Sequence, residues 1–318
     1  MTITALPQAM RRAFLARSAS VVAGGLLVSS MMLARPVGAA SGAYEPQRGQ
    51  AGKDVIWIPS PDALVTRMLR MAAVTPQDYV IDLGSGDGKI VIAAASEFSA
   101  QGKGIEYNPE MVELSKRRAE AAGVAQKAEF EKADIFESDF SRATVITMYL
   151  LPHLNLKLRH RILALKPGTR VVSHEFLMGK WTPDETSRVG TASVHLWLVP
   201  ANVGGDWELT FPQQKGPAKV PMTLSQTFQN FTGDVVFNDF STKVREPKVL
   251  GEQVRFAFTD EDGRLRRFEG QVAGDRISGT VFDGSTRAPF TAVRQGGAPA
   301  IAGSGPAPEG EAESISAE

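Results

Sequence analysis

Three glycines alternate with Ser85 and Asp87 in Val80-Ile81-Asp82-Leu83-Gly84-Ser85-Gly86-Asp87-Gly88, where an apolar run ends and a helical one begins. A glycine-rich strand-to-helix turn lets a backbone approach a ligand closely, so this loop is the first place to look for chemistry. The spacing is Gly-x-Gly-x-Gly, and Lys89 stands where a dinucleotide-binding turn requires its third glycine. Asp82 and Asp87 would also repel a pyrophosphate. Acids on both sides of the loop suit a cationic ligand, and S-adenosyl-L-methionine, with its sulfonium and ammonium groups, fits that description.

Two further acids support this reading. Glu106 lies 22 positions beyond Gly84, the interval at which an acid closing the second strand accepts the hydroxyls of a ribose. Asp134 follows the third strand, placed to accept from an adenine amino group, with the Ile135 amide at a ring nitrogen. The expected cofactor residues are therefore Asp82, Gly84, Ser85, Gly86, Asp87, Gly88, Glu106, Asn108, Asp134 and Ile135. Tyr149, Leu151, Pro152 and His153 lie at the end of the fourth strand, and the family resemblance drawn below implies that a methyl acceptor enters there. His174, closing the fifth strand, is the remaining catalytic candidate beside Tyr149 and Pro152. The four histidines show no metal-ligand spacing, so no metal is expected.

These residues need a frame. From Asp54 to about Pro200 apolar strands alternate with helical patterns, which predicts an α/β, doubly wound Rossmann-like sheet. Strands are expected at Tyr79–Leu83, Gly102–Tyr107, Ala128–Ala133, Ala143–Leu150, Arg170–Phe176 and Ser193–Val199, with a helix from Asn155 to Leu165. Ligands in such sheets sit at the carboxyl ends of the strands near the switch point, where Asp82, Glu106 and Asp134 all fall.

With those motifs in hand, the chain resembles the class I SAM-dependent methyltransferases. More narrowly, Ile58-Pro59-Ser60, the run Asp82 to Ala95 and Tyr107-Asn108-Pro109 resemble the lysine methyltransferases of the ATP synthase c-subunit and the adenine nucleotide translocase. They also resemble bacterial exported methyltransferase-like proteins. The likeness covers roughly residues 54–185, with Lys157-Leu158 and Trp181 included, and implies N-methylation of a protein lysine. The chain departs from the mitochondrial enzymes in its N-terminal leader and in its β-rich C-terminal part, so their substrate does not carry over.

After Pro200 the pattern changes to short alternating strands with turns at Asp262-Gly263, Gly274-Asp275 and Asp283-Gly284. The Gly-x-Val-x-Gly-x-x-Ile-x-Gly run from Gly270 to Gly279 gives this part a loose likeness to lipocalin-like meanders or barrels, which bind an apolar ligand or serve as a plain docking or stabilising module. Arg11-Arg12-Ala13-Phe14-Leu15, an uncharged stretch from Ser18 to Ala34 and Val37-Gly38-Ala39 resemble a twin-arginine signal peptide. That predicts export to the periplasm, or anchoring to the inner membrane if the segment stays uncleaved. The expected division is a leader over 1–40, a methyltransferase domain over 41–202, a β-rich domain over 203–295 and a disordered tail over 296–318.

Composition narrows the partners. The 318 residues are 43% hydrophobic with 35 basic and 35 acidic side chains, so no net charge argues for nucleic acid. The basic run Lys116-Arg117-Arg118 has no interleaved aromatics and reads as a solvated helix face. The absence of cysteine removes disulfides and thiolate chemistry. The expected partner is a protein substrate, from the membrane or envelope if the leader acts. A second reading keeps the methyltransferase fold as a silent scaffold and gives the work to the β-rich part.

Overall fold

A computed structural model describes residues 44–213, 216–238, 240–308 and Glu311; the leader read over 1–40 lies outside them. The first half runs α1 (Asp62–Met71), β1 (Tyr79–Leu83), α2 (Lys89–Phe98), β2 (Gln101–Glu106), α3 (Pro109–Ala121), β3 (Ala128–Lys132), β4 (Val145–Met148), α4 (Pro152–Leu163), β5 (Arg170–His174), β6 (Glu185–Val189) and β7 (Ala192–Leu198). The sheet order is β3-β2-β1-β4-β5-β7-β6. The first five strands are parallel, β7 runs antiparallel to β5, and β6 pairs antiparallel to β7. The order reverses between β1 and β4, which puts the switch point beside Leu83.

Central parallel strands are covered on both faces and so read as near-continuous apolar runs, with neighbours sent to opposite sides. Val80, Val145 and Val172 pack on α1 and α2, whereas Ile81, Leu83, Ile146 and Val171 pack on Leu154, Leu158 and Ile162 of α4. Val91 and Ala95 of α2 meet Val112 and Ala119 of α3. Strand four, expected over Ala143–Leu150, spans Val145–Met148 and leaves Tyr149 beyond it, strand five ends at His174 ahead of Phe176, and two further expectations change. Helix α4 begins at Pro152, three residues ahead of the expected Asn155, because proline's fixed φ suits a first helical turn. Strand β6 is an addition to the expected strands: Glu185-Thr186-Ser187-Arg188 is polar throughout, as an edge strand is free to be.

The second half is a single antiparallel sheet of β8 (Gly205–Gln213), β9 (Gly216–Thr227), β10 (Asn230–Phe237), β11 (Phe240–Lys243), β12 (Arg245–Leu250), β13 (Gln253–Thr259), β14 (Leu265–Ala273), β15 (Arg276–Phe282) and β16 (Arg287–Gln295). Its order is β11-β10-β9-β8-β16-β15-β14-β13-β12. The sheet curls until its ends approach each other. The Val249 amide donates to the Gln229 carbonyl at 3.4 Å and the Val244 amide to the Gly233 carbonyl at 2.8 Å. Aromatic side chains fill the interior: Phe268 stacks on Phe256 at 4.8 Å and meets Phe290 edge-on at 5.0 Å, with Trp207 and Phe211 in the same core.

The segment from Gly296, expected to be disordered, is seated. Asn202 Nδ2 donates to the Pro299 carbonyl at 2.6 Å, and the Ala302 amide to the Gln226 carbonyl at 3.1 Å. Ala302 forms a parallel bridge with Thr227, and Glu311 pairs with Arg159 of α4. Hydrogen bonds to its backbone and one buried ion pair hold this stretch, so no apolar periodicity announces it. Residues 309, 310 and 312–318 of that expectation lie outside the described residues.

Candidate active site

The loop between β1 and α2 turns back on itself through Gly84, Gly86 and Gly88. At Gly88, φ is +79° and a Cβ would lie 2.7 Å from the Ser115 Cβ and 2.8 Å from the Phe130 ring. At Gly86, φ is +53° and a Cβ would lie 2.7 Å from Trp57 Nε1. The loop therefore needs the conformational freedom and the bare backbone of glycine. The Gly84 and Ser85 amides donate to the Ile105 carbonyl at 2.9 and 3.1 Å, tying the loop to β2.

Asp82 lies beneath this loop, 3% exposed, and accepts from Thr147 Oγ1 at 2.7 Å. Burial pushes its carboxyl up to about 7 against the pull of the Thr147 hydroxyl, and the charges of Glu106 and Asp87 add to the rise. Glu106 accepts from the Gly86 amide at 2.9 Å and from the Asn108 amide at 2.9 Å, so one carboxylate joins the glycine loop to the start of α3. Asp134 accepts from the Phe136 amide at 2.9 Å and is ion-paired with Lys53. Lys53, and then the Phe136 amide, hold its carboxyl below the usual range.

These groups line one cavity of about 230 Å³, walled by Trp57, Asp82, Glu106, Asp134, Tyr149 and Phe176. Its outer wall is a hairpin-like turn in which Gly49 donates to the Trp57 carbonyl at 2.8 Å and Trp57 to the Gln50 carbonyl at 2.9 Å. Lys53, at the tip, reaches Asp134 and lies 5.0 Å over the Tyr107 ring.

Of the expected cofactor residues, Asp82, Gly84, Ser85, Gly86, Asp87, Glu106, Asn108, Asp134 and Ile135 reach the cavity wall, and Gly88 sits behind it against α3. Besides Asp82, Glu106 and Asp134, whose partners are given above, two more are already engaged. The Asn108 side chain caps α3 through the Glu110 amide at 2.8 Å, and Asp87 is ion-paired with Arg118. Lys53, Trp57, Thr147 and Phe176 are wall or support residues that the sequence pattern does not single out. Thr147 carries a legible signal all the same: it is the polar residue of an otherwise apolar strand, and in parallel register it pairs with Asp82.

At the other end the Tyr149 ring lies 3.7 Å from that of His174 and 6.1 Å from that of Phe176. His174 Nδ1 is 3.1 Å from Ser60 Oγ, and burial lowers its pKa, leaving it neutral near pH 7. Burial raises that of Tyr149. Neither His174 nor Pro152 lines the cavity. His174 backs the Tyr149 ring, and Pro152 starts α4 because its missing amide is no loss in a first turn. His153 is exposed, and His195 is held by Thr186 Oγ1 at 2.9 Å.

The donor set suits S-adenosyl-L-methionine. The carboxylates of Asp82, Glu106 and Asp134 suit a ligand whose ammonium, hydroxyls and exocyclic amine donate and whose sulfonium adds only positive charge. Ser85 Oγ, buried in the same wall with no hydrogen-bond partner among the described residues, offers one more polar contact. The residues fit.

A parallel sheet with an acid-lined, glycine-looped cleft at its switch point defines a class I SAM-dependent methyltransferase. The ANTKMT methyltransferase domain family matches residues 82–185. The protein-lysine N-methyltransferase of Saccharolobus islandicus (strain REY15A) is 44% identical over 151 residues, which are 46% of this chain and 94% of that protein. The chain belongs to the protein-lysine N-methyltransferase family, whose methyl donor is SAM. The ATP synthase c-subunit lysine N-methyltransferase of Mus musculus is 37% identical over 142 residues, 44% of this chain and 55% of that protein. The adenine nucleotide translocase lysine N-methyltransferase of Mus musculus is 32% identical over 127 residues, 40% of this chain and 55% of that protein. The chain thus spans about half the length of these two mouse relatives. Among solved structures, an RNA methyltransferase from Salinibacter ruber in complex with S-adenosyl-L-homocysteine is 48% identical, with a TM-score of 0.45, and the match covers 46% of this chain and 96% of that one.

Proposed function

We propose that this cleft holds SAM against Asp82, Glu106 and Asp134 and that a protein lysine enters at Tyr149 and Phe176 to receive the methyl group. The carrying observation is the continuity of the cavity: the same wall that bears the three acids ends in an apolar, aromatic mouth. In the bound state the cofactor supplies an electrophilic methyl carbon. The protein positions the rest. The Gly86 loop and Glu106 fix the donor end, while Leu150, Leu151 and Phe176 keep the acceptor end dry. Orientation of this kind supplies ~7–11 kcal/mol in well-aligned reactions. A lysine amine of pKa ~10.4 must lose a proton to water before it attacks, and an apolar mouth favours its neutral form. His174 holds the Tyr149 ring from behind, and the chain forms no covalent intermediate. Family membership and the three intact acids favour the enzyme over a silent scaffold.

The leader motif supports export with SAM bound, which makes an envelope protein the acceptor. Among the described residues no helix is long and apolar enough to cross a membrane. We read the nine-stranded sheet as a lipocalin-like barrel left incompletely closed, its interior taken up by side chains, acting as a buttress in place of a ligand carrier. We read the domain limits at 202–203, in the segment between β7 and β8, and at 295–296.

Titration of SAM into the purified full chain, beside Asp82→Asn and Glu106→Ala, tests the site. Micromolar binding, ~8 kcal/mol, weakened in both variants is expected. Tritiated SAM is then offered to an envelope extract and, in parallel, to total RNA. Label on lysine, located by mass spectrometry, is expected; label on RNA alone, or no binding heat, sinks the reading. Fractionation of cells separates a periplasmic product from a membrane-held one.

A further inference from the structure

Two separate pieces of the C-terminal half enter the α/β half at one place. Phe228, in the turn between β9 and β10, packs with Leu154, Met178, Trp181 and Trp197 and not with the aromatic core of its own sheet. Its ring stacks on Trp181 at 6.2 Å and 11°, and the Arg159 guanidinium lies 5.4 Å from its centroid. Its φ of +51° is a conformation that non-glycine residues adopt at a cost, and such strain gathers where a structure needs a specific contact. The turn is fixed from both sides. Gln226 Nε2 donates to the Phe228 carbonyl at 2.8 Å, and Gln229 Nε2 to the Thr182 carbonyl at 2.6 Å.

The second piece is Glu311. Arg159 Nη1 and Nη2 donate to its two oxygens at 2.6 and 3.1 Å, and the Lys180 amide donates to Oε1 at 3.1 Å. The two side chains are 2% and 5% exposed. Arg159 Nη1 also donates to the Met178 carbonyl at 3.2 Å. Buried ion pairs of this kind contribute little net stability, and their best-attested use is to fix a register.

Both pieces therefore grip residues 178–182, the direct continuation of Phe176 in the cavity wall. One helical turn before Arg159, Asn155 Nδ2 donates to the Phe176 and Leu177 carbonyls, both at 3.2 Å. We propose that the β-sheet and the C-terminal segment act within the chain as a clamp on residues 176–182, making Phe228 and Glu311 positioning residues for the acceptor mouth. The proposal rests on reading Tyr149 and Phe176 as that mouth. Neither Phe228 nor Glu311 lines the cavity. Methyl transfer is an in-line displacement, so a wall displaced by an ångström is felt in the rate.

The test compares the full wild-type chain with Phe228→Ala, Glu311→Gln and the apolar pair Arg159→Met/Glu311→Leu. Three readings are taken: amide hydrogen exchange over 176–182, the affinity for S-adenosylhomocysteine, and kcat and KM with tritiated SAM and poly-L-lysine. The clamp predicts exchange at least tenfold faster over 176–182 in Phe228→Ala and Glu311→Gln. It also predicts a several-fold fall in kcat/KM, with S-adenosylhomocysteine affinity held within twofold. The apolar pair recovers thermal stability while exchange stays fast and the rate low. Unchanged exchange overturns the clamp, as does cofactor affinity falling in step with the rate, or a rate restored along with stability in the apolar pair. A wild-type chain inert towards poly-L-lysine counts against the lysine mouth, and exchange with S-adenosylhomocysteine titration then decides the clamp alone.

Discussion

Asp82 and Thr147 sit opposite each other on adjacent parallel strands, and the Thr147 hydroxyl donates at 2.7 Å to a buried carboxyl in the cavity wall. Burial raises the carboxyl from 3.8 to about 7, which brings its titration into the neutral range. The sign follows from its direction. An acid whose folded pKa lies above its unfolded one is stabilising at low pH relative to high, and its contribution is lost progressively between about pH 4 and 7. Thermal melts of wild type and Asp82→Asn across that window are expected to diverge, the wild type losing stability as pH rises and the variant less so. SAM affinity of the wild type should rise through pH 7 as the carboxylate forms, and that of Asp82→Asn should not.

Glu106 holds the Gly86 and Asn108 amides and faces the cavity. Hydrogen bonds to a charged group are each worth about 1.5–3 kcal/mol. Glu106→Ala is therefore expected to weaken SAM roughly 10- to 100-fold, measured by titration, with Glu106→Gln in between. A variant that binds as wild type does would remove Glu106 from the site.

At Gly88 a methyl group would meet both Ser115 and Phe130, and φ is already left-handed. Gly88→Ala should cost about 1–3 kcal/mol through strain and overpacking. It should lower Tm by several degrees, read in a melt without ligand, and carry the loss into SAM binding because the loop is the cofactor wall.

His174 is held neutral by burial, so the pH profile above about 6.5 should not carry its titration. His174→Asn is expected to lower kcat by roughly tenfold through the loss of support for Tyr149, while leaving the shape of the profile between pH 7 and 9 unchanged. A limb that disappears in this variant would instead make His174 a proton acceptor.

The α/β half is legible in the sequence because its central strands are buried on both faces: Val80-Ile81 and Val145-Ile146 announce themselves as unbroken apolar pairs. The three strand-end acids are legible for a related reason, since a charge at the end of a buried strand has little else to do. Asn108 and Pro152 show the opposite case. An Asn-Pro or Leu-Pro pair before a helix is equally a ligand contact or a helix start, and the structure makes them a cap and a first turn. Lys53 lies in a Gly-Lys-Asp turn and Trp57 in the short apolar run Val55–Ile58, held by backbone bonds of a turn, and nothing in their spacing points across 81 residues to Asp134. Glu311 is hidden in the same way, being one acid among several in a segment of low apolar content.

Arg159 and Glu311 are 152 residues apart in the chain. At a synthesis rate of about 5–20 residues per second, the arginine leaves the ribosome roughly 8–30 s before its carboxylate exists. During that interval the α/β half carries a cation that has no completed place to go, so its last turn of packing waits until Glu311 has been made. A transcript cut short anywhere in the β-rich half therefore yields a methyltransferase sheet with an unfinished interior, a species that proteases and chaperones can tell from the complete protein.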